Sequence, residues 1–211
     1  MENTTADGAR DRPDRFVLAL GSASPRRRDL LAMLGLPFVV VIADADETVL
    51  PGEAPLDYVE RIARAKLDAV RRKDLGPAAG VLVADTIVVA PEGALLGKPR
   101  DDDDARGMLA RLAGATHRVS TRFALALRDR SADVAHGQTV TTSVTFRPLS
   151  RGEIDAYVAS GEGRDKAGAY AVQGRAGAFV ERIDGSFTSV VGLPVCELVV
   201  ALRALGWLAA P

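Results

Sequence analysis

The sequence predicts a mixed α/β fold in a single domain. Short apolar runs of strand composition alternate with amphipathic segments at helical spacing through the first half of the chain. Two long segments of alternating apolar and polar residues follow one another in the second half, as in an antiparallel strand pair. The 211 residues are 47% hydrophobic, which suffices for one sizeable core. We therefore expect one domain over residues 16–211.

Charge and cysteine content exclude several partners and sites. Acidic and basic residues nearly cancel, 28 against 27, so no global field attracts nucleic acid or a membrane surface. The single Cys196 excludes an internal disulfide and a multi-cysteine metal site, and no apolar run has the length of a membrane span. Residues 1–15 are polar and lack the apolar region of a signal peptide, so a disordered extension and a cytoplasmic protein are expected.

The chain begins with a strand, a tight turn and a helix. Residues 16–20 form an apolar run typical of a buried strand, Ser24 suits an N-cap and Pro25 a first helical position. The three arginines of the following turn are Arg26, Arg27 and Arg28. Three cations there oppose the helix dipole, unless free amides, serine hydroxyls and guanidiniums together bind a phosphate. The alternative is an arginine-rich helix start that faces solvent.

A second strand over residues 37–42 leads into an acidic turn at 44–47, which either faces water or holds a cation. Residues 55–73 then have helical spacing. The expected buried stripe consists of Leu56, Val59, Ile62, Ala63, Leu67 and Val70. Lys66 falls within this stripe, so its ammonium either reaches the rim or points into a polar cleft.

A carboxylate interrupts the most apolar run of the chain. Asp85 lies in the middle of residues 80–89, where an unpaired charge would be costly to bury. We expect a break in the strand there, at a site or a partner, with capping of backbone amides as the structural alternative. A turn follows at 95–99. The acidic run 101–104 is interpreted as the start of a helix ending at Gly114, because acids favour that position.

The second half begins with two strands, 117–127 and 138–146, expected to pair antiparallel. His117 is interpreted as structural, since the sequence places no nucleophile or metal ligand beside it. Ser150 and Glu153 form a capping box for the next helix. The glycine-rich segment 161–174 allows close approach of a ligand. Residues 179–183 form another apolar segment before a glycine-bounded turn, and Pro194 begins the final helix.

Common nucleotide and hydrolase motifs are absent, including G-x-x-x-x-G-K-[ST], G-x-G-x-x-G, H-E-x-x-H and G-x-S-x-G. What the chain offers is a dispersed set of cations suited to phosphates and of carboxylates suited to magnesium. Its members are Arg26, Arg27, Lys66, Lys98, Glu47 and Asp85. Such a set suits metal-assisted attack on a phosphoanhydride.

Six segments, in order, resemble the motifs of the Maf family of nucleoside triphosphate pyrophosphatases. They are Ser22–Arg27, Asp46–Glu47, Ala84–Thr86, Leu96–Pro99, Asp165–Gly174 and Val191–Pro194. The resemblance runs from about residue 16 to the C-terminus and implies an inosine-triphosphatase-like fold, with an elongated twisted mixed sheet flanked by helices and two lobes around a deep cleft. It also implies hydrolysis of a nucleoside triphosphate to the monophosphate and pyrophosphate, a divalent cation (Mg2+ first, with Mn2+ or Co2+ as alternatives) and a homodimer.

The resemblance also implies roles for single residues. Asp85 corresponds to the catalytic acid, which activates water or holds the metal, and Glu47 to a second carboxylate sharing that metal. Lys98 is assigned to catalysis as well as to phosphate contact. The remaining substrate-binding positions are Ser22, Arg26, Arg27, Lys66, Thr86, Asp165, Lys166 and Gln173.

The Asp-Thr pair and the Asp-Lys-Ala-Gly segment resemble the branch of the family that prefers dTTP and UTP. Arg26, Thr86 and Gln173 are the positions that this comparison assigns to base selection. Phe187 and Ser189 stand where Tyr and Asn are expected, near enough to the cleft to affect base preference. House-cleaning of modified nucleotides is the role that the resemblance implies.

Two other functions compete with this hypothesis. The family is associated with inhibition of septum formation, so the cleft could bind nucleotide to regulate cell division without turnover. Carboxylates beside an anion site argue for hydrolysis instead, because a triphosphate sensor has no evident need for Asp85. Release of the γ-phosphate or nucleotidyl transfer are further alternatives, which the reaction products distinguish.

Overall fold

A seven-stranded mixed sheet forms the centre of the fold in a computed structural model that describes residues 16–129 and 134–208. The strands are β1 (Leu18–Leu20), β2 (Phe38–Val40), β3 (Gly80–Val89), β4 (Leu95–Leu96), β5 (Thr116–Leu127), β6 (His136–Phe146) and β7 (Val180–Asp184). The helices are α1 (Pro25–Ala32), α2 (Pro55–Arg71), α3 (Asp102–Leu112), α4 (Arg151–Ala159), α5 (Phe187–Val191) and α6 (Val195–Ala204). The predicted extension at 1–15 lies outside the described residues.

The strand order is β2-β1-β3-β5-β6-β7, with β4 added to β3. β1 pairs parallel with β2 and β3, whereas β3, β5, β6 and β7 pair antiparallel with their neighbours. This confirms the mixed α/β fold and the antiparallel pair predicted from the alternating segments.

One edge of β3 is only partly paired, and this leaves room for a cleft. β1 pairs with β3 as far as Leu82, where the Gly21 N–H still donates to the Leu82 carbonyl, and β4 pairs from Val88 onward. No described strand pairs with residues 83–87 along that edge. The opposite edge pairs with β5 throughout. Asp85 and Thr86 therefore lie in a gap between two shorter strands.

The core divides into regions on either side of this gap. Around the first half of β3, Leu18 and Leu82 pack with α1 and α6 on one face of the sheet, and Val83 packs with α2 on the other. Around the far end of β3, Val88 and Leu96 belong to a cluster with α3 and α4. The long strands β3 and β5 connect these two lobes, as the resemblance implies.

N-capping residues close in sequence account for the first residues of several helices. The Ser24 side chain accepts from the Arg27 N–H at the start of α1, and Asp101 does the same for Asp104 at the start of α3. The predicted capping box of Ser150 and Glu153 is present at α4. Because caps satisfy free backbone amides locally, the sequence alone predicts them correctly. No helix among the described residues is long and apolar enough to span a membrane.

Three predictions of local structure were wrong. β3 does not break at Asp85: it continues in register with β5, because Lys66 of α2 meets the carboxylate. Leu56 is 53% exposed, since Tyr58 and Val59 occupy the buried side of the first turn of α2. The expected turn after Gly185 contains the short helix α5, whose N-cap is Ser186.

Candidate active site

A cleft of about 840 Å³ opens at the unpaired edge of β3 and is lined by every residue that the sequence analysis assigns to the site. The turn before α1 supplies Ser22, and the start of α1 supplies Arg26 and Arg27. The remaining predicted residues in the lining are Glu47, Lys66, Asp85, Thr86, Lys98, Asp165, Lys166 and Gln173. Positions as far apart in sequence as Ser22 and Gln173 thus meet in one cavity.

Two carboxylates in the cleft converge on one ammonium group. The Lys66 Nζ lies 2.7 Å from Glu47 Oε1 and 2.5 Å from Asp85 Oδ1. The Lys66 and Asp85 side chains are only 14% and 12% exposed, so solvent screens this attraction little. Lys66 therefore points into the polar cleft, which decides between the two interpretations of its place in the apolar stripe.

The charges of the cleft keep Glu47 ionised. Partial burial alone would raise the pKa of the Glu47 carboxyl, but its hydrogen bond to Lys66 and the positive charges of Lys66, Lys98 and Arg27 outweigh burial and lower it. The Tyr58 hydroxyl donates to the backbone carbonyl of Glu47 at 3.0 Å. Partial burial and the negative charges of Asp85 and Glu47 raise the pKa of Tyr58 to about 12, so it stays a donor.

The donor set of Glu47 and Asp85 fits a divalent cation. Their oxygens already approach one cation, the Lys66 ammonium, and Mg2+ is commonly bound through one or two carboxylates with water and substrate oxygens completing its shell. The described residues contain no group of three or more His, Cys, Asp and Glu side chains placed to hold a metal. A cation bound by Glu47 and Asp85 would take its other ligands from water and substrate oxygens.

Arg27 is fixed by three hydrogen bonds instead of extending into solvent. Its Nε donates to the Gly192 carbonyl at 2.8 Å, and its terminal nitrogens donate to Ser22 Oγ at 3.3 Å and Thr86 Oγ1 at 3.0 Å. Burial, partly offset by attraction to Asp85, lowers the pKa of the guanidinium below its usual value. An arginine held in this way on the wall of a cleft is oriented before any anion arrives.

Part of the glycine-rich segment 161–174 forms another wall of the cleft. Asp165 contacts Lys166 and lies 3.9 Å from an Arg26 nitrogen, which joins this wall to the start of α1. Burial would raise the pKa of the Asp165 carboxyl, but Lys166 and Arg26 lower it. Gln173 lines the same side of the cavity.

Two buried tyrosines attach this wall to the protein. The Tyr157 hydroxyl accepts from the Ala171 N–H and donates to Glu162 Oε1, each at 3.0 Å. The Tyr170 hydroxyl lies 2.8 Å from His117 Nε2. Burial lowers the pKa of His117 to about 4, so the ring is neutral at pH 7, in agreement with the predicted structural role.

The sequence analysis did not identify several residues that shape the site. Tyr58 falls on the buried side of α2, the Gly192 carbonyl is a backbone group, and Thr121 lies on a different strand from Thr86. Two of them carried a usable signal, since Tyr58 precedes Val59 in the apolar stripe and Gly192 lies in the Val191–Pro194 segment of the family resemblance. Of the departures from the family pattern, neither Phe187 nor Ser189 lines the cavity.

The names of curated relatives agree with the resemblance. The sequence is 52% identical over 199 residues to a dTTP/UTP pyrophosphatase of Hahella chejuensis, covering 92% of this chain and 94% of that protein. It is 51% identical over 190 residues to a dTTP/UTP pyrophosphatase of Anaeromyxobacter dehalogenans, covering 90% and 94%. Among solved structures, the Staphylococcus aureus Ham1 protein aligns with a TM-score of 0.39 at 11% identity over 64% of this chain and 72% of that one.

A third relative, the dTTP/UTP pyrophosphatase of Myxococcus xanthus, is 51% identical over 193 residues, covering 92% of this chain and 94% of that protein. A family model described as Maf-like protein matches residues 17–205, which include every residue of the cleft. With a match over nearly the whole described chain, and relatives that are half identical across nine-tenths of it, the chain belongs to the Maf family.

Proposed function

We propose that this protein hydrolyses dTTP and UTP to the corresponding monophosphate and pyrophosphate. The observation that carries the proposal is the convergence of five cations with the carboxylates Glu47 and Asp85 in one cleft. The cations are Arg26, Arg27, Lys66, Lys98 and Lys166. A triphosphate carries about four negative charges, so its binding needs several converging cations. The curated relatives are named for this activity.

In the proposed reaction, residues of the cleft bind and orient the phosphates and accept a proton from the attacking water. Arg27, held by Ser22 and Thr86, presents its remaining N–H groups to the phosphates, and Lys98, which also lines the cleft, adds a second positive charge. Asp85 accepts the proton of the water that attacks the α-phosphorus in line, while the bond to the bridging oxygen breaks and pyrophosphate leaves. Mg2+ held by Glu47 and Asp85 would neutralise phosphate charge and favour ionisation of the attacking water.

Base preference is assigned to Arg26, Thr86 and Gln173, three polar residues that line the cavity. The preference for dTTP and UTP is supported by the names of the relatives. The regulatory alternative is not favoured, because those relatives are named as enzymes. A homodimer and a cytoplasmic location are retained as proposals, and sedimentation of the purified protein tests the first.

Product analysis tests the proposed activity. The protein is incubated with Mg2+ and each of dTTP, UTP, CTP, GTP, ATP and 7-methyl-GTP, and the products are separated by anion exchange. We expect monophosphate and pyrophosphate from dTTP and UTP, with slower turnover of the others. Orthophosphate as the first product would instead indicate γ-phosphate release. Tight binding without turnover of any nucleotide would contradict the proposal and favour the regulator.

A further inference from the structure

A chain of hydrogen bonds extends from the cleft arginine into the interior of the protein. An Arg27 terminal nitrogen donates to Thr86 Oγ1, which lies 2.9 Å from Thr121 Oγ1, and Thr121 Oγ1 donates to the Ser189 carbonyl at 2.8 Å. Thr121 and Ser189 are completely buried and do not line the cavity. The two threonines face each other directly across the paired strands β3 and β5.

The direction of every bond in this chain follows from counting protons. A threonine hydroxyl has one proton and accepts through its lone pairs. Thr121 gives its proton to the Ser189 carbonyl, which cannot donate, so its contact with Thr86 is satisfied only if Thr86 donates. Thr86 then has no proton left and can only accept from Arg27. The orientation of the Thr86 hydroxyl is thus fixed by Thr121.

The series of hydrogen bonds also leads back to Arg27 through α5. Ser189 belongs to α5, and the residue that caps the C-terminus of this helix is Gly192, whose carbonyl accepts from Arg27 Nε. Thr121 therefore helps to place two of the three acceptors of Arg27. It orients the Thr86 hydroxyl directly, and it bonds to α5, the helix that ends at Gly192. Three of the five N–H groups of Arg27 are used by protein acceptors, and two remain for a ligand.

We propose that Thr121 is a positioning residue for phosphate binding: its hydroxyl, through Thr86 and α5, holds the Arg27 guanidinium in the orientation that receives the phosphates. The proposal rests on the proposed function for the identity of the ligand. It assigns no contact with substrate to Thr121. Without the Thr121 hydroxyl, Thr86 is free to rotate and the Ser189 carbonyl loses its donor, so Arg27 keeps its charge but loses its fixed orientation.

The test compares Thr121→Val, which keeps the shape of the side chain, with Thr121→Ser, which keeps the hydroxyl. For Thr121→Val we expect KM for dTTP to rise about five- to tenfold, the scale of one hydrogen bond, with kcat changed less than threefold. Thr121→Ser should stay within twofold of wild type in both. Ser120→Ala is the matched control, because it removes the neighbouring buried hydroxyl, which bonds to Thr141 and not to the arginine.

A double-mutant cycle separates positioning from a general loss of stability. In an Arg27→Met background, Thr121→Val should weaken binding less than twofold further, since the residue that it positions is gone. A wild-type KM in Thr121→Val, failure of Thr121→Ser to restore KM, or an undiminished effect in the Arg27→Met background would each overturn the proposal. If Thr121→Val does not fold at the assay temperature, as judged by urea unfolding, Thr121→Ala is measured in the same way.

Binding of inorganic pyrophosphate, measured by calorimetry, separates this proposal from the proposed function. Weaker pyrophosphate binding in Thr121→Val supports the positioning role even if the wild-type protein hydrolyses no nucleotide. Hydrolysis by wild type with unchanged pyrophosphate binding in Thr121→Val overturns the positioning role and leaves the proposed function standing. Absence of pyrophosphate binding by the wild-type protein also overturns the positioning role.

Discussion

Replacing Asp85 by Asn removes one negative charge and the proposed proton acceptor while keeping the size of the side chain. The side chain is 12% exposed and its Oδ1 lies 2.5 Å from Lys66 Nζ, so the charge acts in a weakly screened site. Losing one electrostatic or proton-transfer contribution lowers a rate by about 10²- to 10⁴-fold, or about 3–5 kcal/mol of activation free energy. We expect kcat to fall at least ~100-fold.

The assay measures kcat for dTTP by pyrophosphate release, together with nucleotide binding by calorimetry. Binding should change little, because the phosphate-binding cations are retained. The matched control is Asp68→Asn, an exposed carboxylate on the same helix as Lys66 but outside the cleft, which should have wild-type rates. Near-normal turnover in Asp85→Asn would remove this residue from the mechanism. A loss confined to binding would assign it to substrate affinity alone.

Three further changes test the electrostatics and packing around the site. Lys66→Met leaves two carboxylates without their shared cation, so urea unfolding should show a loss of about 2–4 kcal/mol that added Mg2+ partly restores. The pKa of His117 in the folded protein, about 4, lies below the ordinary 6.5. Its contribution to the free energy of unfolding, about 2–4 kcal/mol, is therefore present above pH 6.5 and lost as the pH falls towards 4. His117→Phe should reduce this dependence of stability on pH, measured as urea midpoints at several pH values. In Gly163→Ala the new Cβ would lie 2.0 Å from the Ala169 carbonyl oxygen, so the wall carrying Lys166 must shift and KM should rise more than tenfold. In the control Gly152→Ala the new Cβ meets no atom within 4 Å, so activity and melting temperature should not change.

Features determined by a few neighbouring residues were predictable from the sequence. The caps at Ser24, Asp101 and Ser150 depend on side chains within three residues of the amides that they satisfy. The antiparallel pairing of β5 with β6 follows from their matched alternation and short connection. For the site, the sequence offered residue types suited to phosphate and magnesium, and the family resemblance supplied their grouping.

Features that depend on strand register were not predictable. Asp85 was expected to interrupt its strand because the sequence gives no partner for a buried carboxylate. Its partner is Lys66, nineteen residues earlier, which reaches it only because α2 packs across the face of β3. The link from Thr86 to Thr121 likewise exists only in the observed register, since a slip of one residue would send Thr121 to the other face of the sheet.

Alternation along β3 explains why this cleft needs a partly unpaired edge. Successive side chains of a strand point to opposite faces, so Asp85 meets Lys66 of α2 on one face, and Thr86 meets Arg27 of α1 on the other. In a fully paired sheet, these two groups would lie in separate compartments. Because β1 ends opposite Leu82 and the pairing of β3 with β4 reaches only as far as Val88, one cavity can be lined from both faces at once. The two short strands thus allow the carboxylate pair and the phosphate-binding arginine to act on a single ligand.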